Sequence, residues 1–394
     1  MRYERNDDTV TCWLEGRITS NTAADFEQEI RDAISATAVS RVVLDATDLV
    51  YISSAGLRVI IRLLKSCESV MVVNASSEVY DVFSLTGITE LMEVRRAPHQ
   101  IDISGMRQIG AGACGRVYRM DAERVVKVYN QASFTPDRVE RERQIARQAF
   151  IQGIPSAIPF QTVRAGEELG LVYELVDARN IGEVVSADPE SCEEWARRMA
   201  ALGRQLHTTE FKEGLLPDAR RIYRNWTDRL EGIGIYANET IAALRDFVES
   251  IPVAHTFVHG DFHPANVMVM PDGELLLIDM GDASEGHPGM DMAGTYHVVR
   301  VAAKRNDGAQ RFCSMPGDLL DKFWNVFLRT YYDVDDDASV AELERSLALA
   351  AMPRSMGTNA FSKFIGEEDR TRVAAELERR FLAGRDSVRW DLLG

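Results

Sequence analysis

Long apolar runs, paired cysteines and a cationic surplus are all missing from this 394-residue sequence. No apolar stretch approaches the roughly 20 residues that a bilayer-spanning helix needs. The opening residues, Met-Arg-Tyr-Glu-Arg-Asn-Asp-Asp, carry none of the apolar segment of a secretory signal, so a cytoplasmic location is expected. The five cysteines (Cys12, Cys67, Cys114, Cys192 and Cys313) are odd in number and form no C-x-x-C pair. That pattern speaks against a disulfide framework and a cysteine zinc site, and reduced thiols in or near a core are expected. Lys and Arg total 45 against 61 Asp and Glu, a net charge of −16. Non-specific nucleic-acid or anionic-membrane binding needs a cationic surface, so neither is expected. Repeats and low-complexity segments are absent as well.

What is present is an ordinary globular composition, 45% hydrophobic and 27% charged, with length enough for two domains. The first hundred residues alternate between strand and helix. Thr9–Glu15 reads as a strand, and Thr22-x-x-Asp25 as a capping box before Phe26, Ile30, Ala33 and Ile34 on one helical face. Val42–Leu44 and Val70–Val73 are short continuous apolar runs, as parallel strands buried on both faces require. Leu57, Ile60, Ile61 and Leu64 recur at helical spacing, as do Val79, Val82 and Phe83 more briefly. This order predicts a small α/β sandwich over residues 1–97, with the polar stretch Arg95–Gln100 as a linker. From Ile103 to about Leu175 short strands surround a glycine-rich turn. Helical periodicity then dominates from 177 to 394, through Trp195, Met199, Leu202 and Leu206 and later Leu320, Phe323, Trp324 and Phe327. A hairpin, Val267–Met270 and Leu275–Ile278 around Pro271-Asp272-Gly273, interrupts it. The second section, 103–394, is therefore expected to be α+β and bilobal.

The glycine-rich turn, Gly110-Ala-Gly112-Ala-Cys-Gly115-Arg-Val117, has the form G-x-G-x-x-G-x-V. Glycine suits phosphate because backbone N–H groups can approach its oxygens with no Cβ in the way. A strand, not a helix, follows, which disfavours a dinucleotide fold. That strand carries Lys127, either an exposed strand lysine or a phosphate clamp. A clamp needs an acidic partner on the next helix, where Glu142 lies on the side of Val139, Ile145 and Ala146 and Glu140 points outward. Next comes His259-Gly260-Asp261-Phe-His263-Pro-Ala-Asn266, with an aspartate and an asparagine five positions apart, as in the kinase catalytic loop H-R-D-x-x-x-x-N. In that loop the Asp orients and partly deprotonates a hydroxyl, and the Asn offers its amide oxygen to a metal. The hairpin then delivers Asp279-Met280-Gly281, whose carboxylate suits Mg²⁺.

Only eleven residues separate Asp279 from Asp291, and no A-P-E follows. In this, and in its H-G-D-F-H-P-A-N string, the sequence resembles the aminoglycoside phosphotransferase and choline kinase branch of the protein-kinase-like superfamily. The resemblance implies an ATP- and Mg²⁺-dependent phosphotransferase. It casts Asp261 as the catalytic residue, Asn266 and Asp279 as metal ligands, and Lys127 and Glu142 as the phosphate-positioning pair. It also makes Tyr173-Glu174-Leu175-Val176 the hinge that reads adenine. Asp291 and His259 become structural braces, and His263 is read the same way. Asp282 is either a further acidic group near the metals or an exposed turn residue.

The stretch Val42 to Leu57, with Asp48, Tyr51, Ser53, Ser54 and Gly56, resembles a STAS domain, the fold of anti-sigma factor antagonists. In that family a serine at this helix start is phosphorylated, a position matched here by Ser54. Its family-typical preceding Asp is replaced by Ser53. A phosphate at a helix N-terminus is favoured by free N–H groups and the dipole, whereas the simpler reading makes Ser54 the helix cap. Three functions follow: a kinase for a small-molecule hydroxyl regulated or localised by the first domain, a protein serine kinase acting on Ser54, or a nucleotide-sensing partner-switching protein. The STAS resemblance also implies a surface for a protein partner on the first domain.

Overall fold

The computed structural model describes residues 1–6, 8–35, 39–112, 114–130, 134–211, 214–305, 307–361 and 367–394. Ala113, inside the glycine-rich string, lies outside them. The chain divides into two compact units, Met1–Ile101 and Asp102–Gly394.

The first unit contains β1 (Arg2–Asn6), β2 (Thr9–Ile18), α1 (Ala23–Ile34), β3 (Arg41–Ile52), α2 (Ser54–Leu64), β4 (Ser69–Ala75), α3 (Ser77–Leu85) and β5 (Glu93–Arg96). Its strands pair in the order β1-β2-β3-β4-β5, antiparallel only between β1 and β2. Leu14, Leu44, Val72, Ile60 and Phe83 form its core. Three local expectations are corrected. The capping box at Thr22 does not form, because its hydroxyl already accepts from the Thr19 N–H at 2.9 Å. Arg95 and Arg96, expected to open the linker, instead end strand β5: Val94 packs on the core, while Arg96 pairs with Asp81 and stacks on Tyr80. A four-residue edge strand with two consecutive arginines offers too short an apolar alternation to be told from loop. The cap of α2 is Ser53, whose side chain accepts from the Gly56 N–H, so Ser54 is not the cap.

The second unit begins with antiparallel strands β6 (Arg107–Ala111), β7 (Gly115–Arg119), β8 (Arg124–Tyr129), β9 (Pro159–Ala165) and β10 (Glu168–Glu174), paired in the order β9-β10-β8-β7-β6. Between β8 and β9 runs α4 (Pro136–Ile151), started by Thr135, whose side chain accepts from the Arg138 N–H. A helical region follows, including α5 (Cys192–Thr208), α6 (Pro288–Tyr296), α7 (Gly317–Tyr332) and α8 (Met352–Phe361). Short strands β11 (Thr256–Val258), β12 (Val267–Val269), β13 (Leu275–Leu277) and β14 (Ser284–Gly286) are set into it; β12 and β13 form the expected hairpin and β14 returns to pair with β11. Phe262, Phe323, Trp324 and Phe327 lie in its largest core, so the α7 aromatics are packing residues. Among the described residues no helix is long and apolar enough to cross a membrane.

Candidate active site

The loop between β11 and β12 is held by a buried carboxylate. Asp291, on the first turn of α6, is fully buried and accepts from the backbone N–H groups of His259 and Gly260, each at 2.7 Å. His207, at the end of α5, adds its Nε2 at 3.1 Å from the same side chain, and Tyr331 on α7 orients that ring through its Nδ1. Burial alone pushes the Asp291 carboxyl up, but the His207 hydrogen bond and the loop's donors outweigh it and hold it below the usual carboxylate range. His259 Nε2 lies 3.1 Å from the Ile278 carbonyl, and its Nδ1 accepts from the Asp261 N–H, which fixes the Nε2–H tautomer. Gly260 turns the chain at φ +83°, and a Cβ there would sit 2.7 Å from the Asp282 carbonyl oxygen. Both facts demand glycine. Thr295 tightens the same turn by donating to the Phe262 carbonyl at 2.6 Å.

Asp261 emerges from this brace with both oxygens engaged. Oδ1 meets Arg354 Nη2 at 2.5 Å; Oδ2 lies 3.3 Å from His263 Nε2 and 3.2 Å from Asn266 Nδ2. Burial opposes its charge, but His263 and Arg354 prevail and keep the carboxyl far below its ordinary range. Asn266 also donates Nδ2 to the Asp261 carbonyl at 2.9 Å. Its amide nitrogen is thereby committed to the loop, and among the described residues its side-chain oxygen has no hydrogen-bond partner.

Facing this loop is the sheet. Lys127, on β8, puts Nζ 2.9 Å from Glu142 Oε1 and 2.6 Å from Asp279 Oδ1. Glu142 is 5% exposed on α4, in phase with buried Val139, Ile145 and Ala146, and Tyr173 on β10 donates its hydroxyl to Oε1 at 3.0 Å. Glu140 instead pairs with Arg143 on its own helix. Burial works against the Lys127 charge, yet Asp279 and Glu142 outweigh it and raise its pKa above the ordinary lysine value. Asp279 adopts the left-handed conformation, φ +62°, uncommon for a residue with a side chain, and stays substantially exposed.

The three glycines of the turn differ. A Cβ on Gly115 would lie 2.2 Å from the Val128 carbonyl oxygen of β8, so close strand packing requires glycine there. Gly112 opens on free space and Gly110 meets only Val117, at 3.5 Å. Gly112 donates its N–H to the Gly115 carbonyl at 2.9 Å, closing the turn. At the end of β10 the Glu174 N–H bonds Ile158 and the Leu175 N–H bonds Glu123, while the Val176 N–H has no hydrogen-bond partner among the described residues.

The structure thus brings together Lys127, Glu142 and Asp279 in one group, and His259, Asp261, Asn266 and Asp291 in another. Among the described residues no cluster of three or more His, Cys, Asp or Glu has metal-holding geometry. The Asn266 amide oxygen and the Asp279 carboxylate nevertheless fit Mg²⁺, which uses one or two protein oxygens and completes its shell with water and phosphate. Sequence reading missed Arg354, His207 and the Tyr173 hydroxyl. Each sits in a helix or strand pattern that its neighbours already explain, and no local spacing marks it. Ser54, in the first unit, is exposed at the start of α2, and Arg58 reaches its carbonyl (3.2 Å) and its hydroxyl (3.4 Å).

A sequence model described as the phosphotransferase enzyme family matches residues 105–318, and one for the STAS domain matches residues 1–106. No curated protein matches the chain. Among solved structures, an ADP-bound aminoglycoside phosphotransferase, APH(2'')-Ib, is 16% identical with a TM-score of 0.47, covering 73% of this chain and 94% of its own. The aminoglycoside phosphotransferase APH(4)-Ia, in a ternary complex with ADP and hygromycin B, is 15% identical at 0.47, covering 72% and 94%. A protein described as an anti-sigma factor antagonist, from Thermotoga maritima, is 23% identical with a TM-score of 0.23, covering 24% of this chain and 84% of its own.

Proposed function

The chain belongs to the phosphotransferase enzyme family, with an N-terminal STAS domain, and we propose that it transfers the γ-phosphate of Mg-ATP to a hydroxyl of a small-molecule acceptor. The observation that carries this reading is the meeting of Glu142 and Asp279 on Lys127, the arrangement that positions nucleotide phosphates and their metal in kinases. Lys127, kept cationic by its two carboxylates, binds phosphate oxygens. Asn266 and Asp279 hold Mg²⁺, whose charge offsets that of the phosphates. Gly110, Gly112, Gly115 and Val117 cover them, and the Glu174 and Val176 backbone reads adenine. Asp261 receives and orients the acceptor hydroxyl. Its carboxyl, held below the ordinary range by His263 and Arg354, stays ionised to accept the hydroxyl's hydrogen bond, and in a loose transition state orienting that hydroxyl is its main service.

The STAS domain regulates or localises this activity. A second reading, that the kinase phosphorylates Ser54 in cis or in trans, is favoured by one observation: the Ser54 hydroxyl is exposed and free of capping duty, with Arg58 beside it. Labelled ATP and Mg²⁺, offered with and without a panel of hydroxylated metabolites and aminoglycosides, test both. Label on a small acceptor supports the first. Label on wild-type protein but not on Ser54→Ala supports the second. Asp261→Asn should lower turnover by about 10²–10⁴-fold and leave nucleotide affinity nearly intact. Nucleotide binding without turnover on any acceptor would leave a sensing protein.

A further inference from the structure

Arg354 lies 93 residues beyond Asp261 and outside the span matched by the family's sequence model, yet it is the only guanidinium recorded on that carboxylate among the described residues. Its side chain is mostly buried. Nη1 donates to the Gly260 carbonyl at 2.6 Å while Nη2 donates to Asp261 Oδ1 at 2.5 Å. The contact is built into the surroundings. Gly294 on α6 leaves the space it needs, since a Cβ there would stand 2.9 Å from Nη1. Helix α8, which carries Arg354, is pinned on either side of the next turn: His297 bonds Ser355 through Nδ1 at 2.9 Å and Thr358 through Nε2 at 3.1 Å. His297 opens a π-helical segment, His297–Ala302, a widened turn that such structures often show near functional sites.

We propose that Arg354 is a positioning residue for phosphoryl transfer, locking the Asp261 carboxylate to the backbone of its own loop. The inference rests on the phosphotransfer reading of Asp261. The guanidinium spans one carboxylate oxygen and the preceding carbonyl with two fixed N–H groups, so the Asp261 side chain cannot rotate without breaking a charge-assisted bond. Oδ2 is steered by His263 and Asn266, which leaves one defined carboxylate orientation for an incoming hydroxyl. A lysine has one point charge on a flexible stem and cannot hold both sites in a fixed plane.

The test is steady-state kinetics on the full-length protein with the acceptor that wild type phosphorylates. Arg354→Ala should lower kcat by about 100-fold, with KM for ATP within about twofold, because it removes orientation and not nucleotide binding. Millimolar methylguanidine should restore part of the lost kcat in Arg354→Ala and none in Asp261→Asn. Arg354→Lys should fall between wild type and alanine. In the Asp261→Asn background Arg354→Ala should add little further loss, since the arginine acts through the aspartate. Full activity in Arg354→Ala overturns the proposal. So does a loss that methylguanidine leaves unchanged and that adds in full to Asp261→Asn, the pattern of a merely structural residue. If Arg354→Ala fails to fold, the lysine variant and its double mutant carry the same comparison. An inactive wild type defeats the phosphotransfer reading itself and this inference with it; an active wild type with an equally active Arg354→Ala defeats only this one.

Discussion

Asp291 shows how much one buried side chain can hold. Removing its charge leaves two backbone N–H groups and His207 facing a poorer acceptor. Asp291→Asn should therefore cost about 3 kcal/mol, the upper range for hydrogen bonds to a charged group, read by urea denaturation of the second unit. Its folded pKa lies below the ordinary carboxylate value. The stability it supplies is present above the unfolded value of about 4 and is lost as pH falls toward the folded one. Wild type and Asp291→Asn should accordingly converge on acidification below about pH 4. In the first unit two adjacent serines separate two roles. Ser53→Ala should destabilise α2 by about 1 kcal/mol, and Ser54→Ala should leave the melting temperature unchanged, because only Ser53 caps.

Elements respond to the space around them. Gly115→Ala drives a Cβ into the β8 backbone, and a cost above about 2 kcal/mol is expected from such overpacking. Gly112→Ala meets nothing and should leave stability intact while weakening nucleotide binding, measured by calorimetric titration. The seating of α8 should depend on pH. Burial pushes the His297 pKa down to about 3, so the folded chain keeps it neutral while the unfolded chain protonates it near 6.5. Stability should then drop by about 1.4 kcal/mol per pH unit below about 6.5 from this residue alone. Comparing denaturation of wild type and His297→Asn at pH 7, 6 and 5 isolates that slope. Elements that repeat an apolar period, such as α2, α3 and the β12–β13 hairpin, could be read directly from the sequence. So could the spacing that sets Asp261 against Asn266, and the helix phase that chose Glu142 over Glu140. Arg354 and His207 could not: their partners lie 93 and 84 residues away, and only tertiary packing brings such positions together. Strand β5 was illegible for a different reason: its single core-facing valine stands among three charged residues, Glu93, Arg95 and Arg96.

Each unit carries its own main core, one around Leu44 and Phe83 and the other around Phe262 and Phe327, and the second unit adds smaller buried clusters such as that of Leu244 and Phe381. Calorimetry should resolve this: Mg-ADP at about 100 times its Kd should stabilise the second unit by about 2.7 kcal/mol and leave the transition of the first unmoved. Ser53→Ala should shift only the first. The Arg354 contact also has a consequence in time. Domains fold as they leave the ribosome, at about 5–20 residues per second. The loop bearing Asp261 is made first, and the arginine that fastens it follows 93 residues later, roughly 5–20 seconds behind. Until α8 docks, a growing chain holds the Asp261 carboxylate through Oδ2 alone, by His263 and Asn266, so the loop gains its last fastening only after residue 354 has been made and packed.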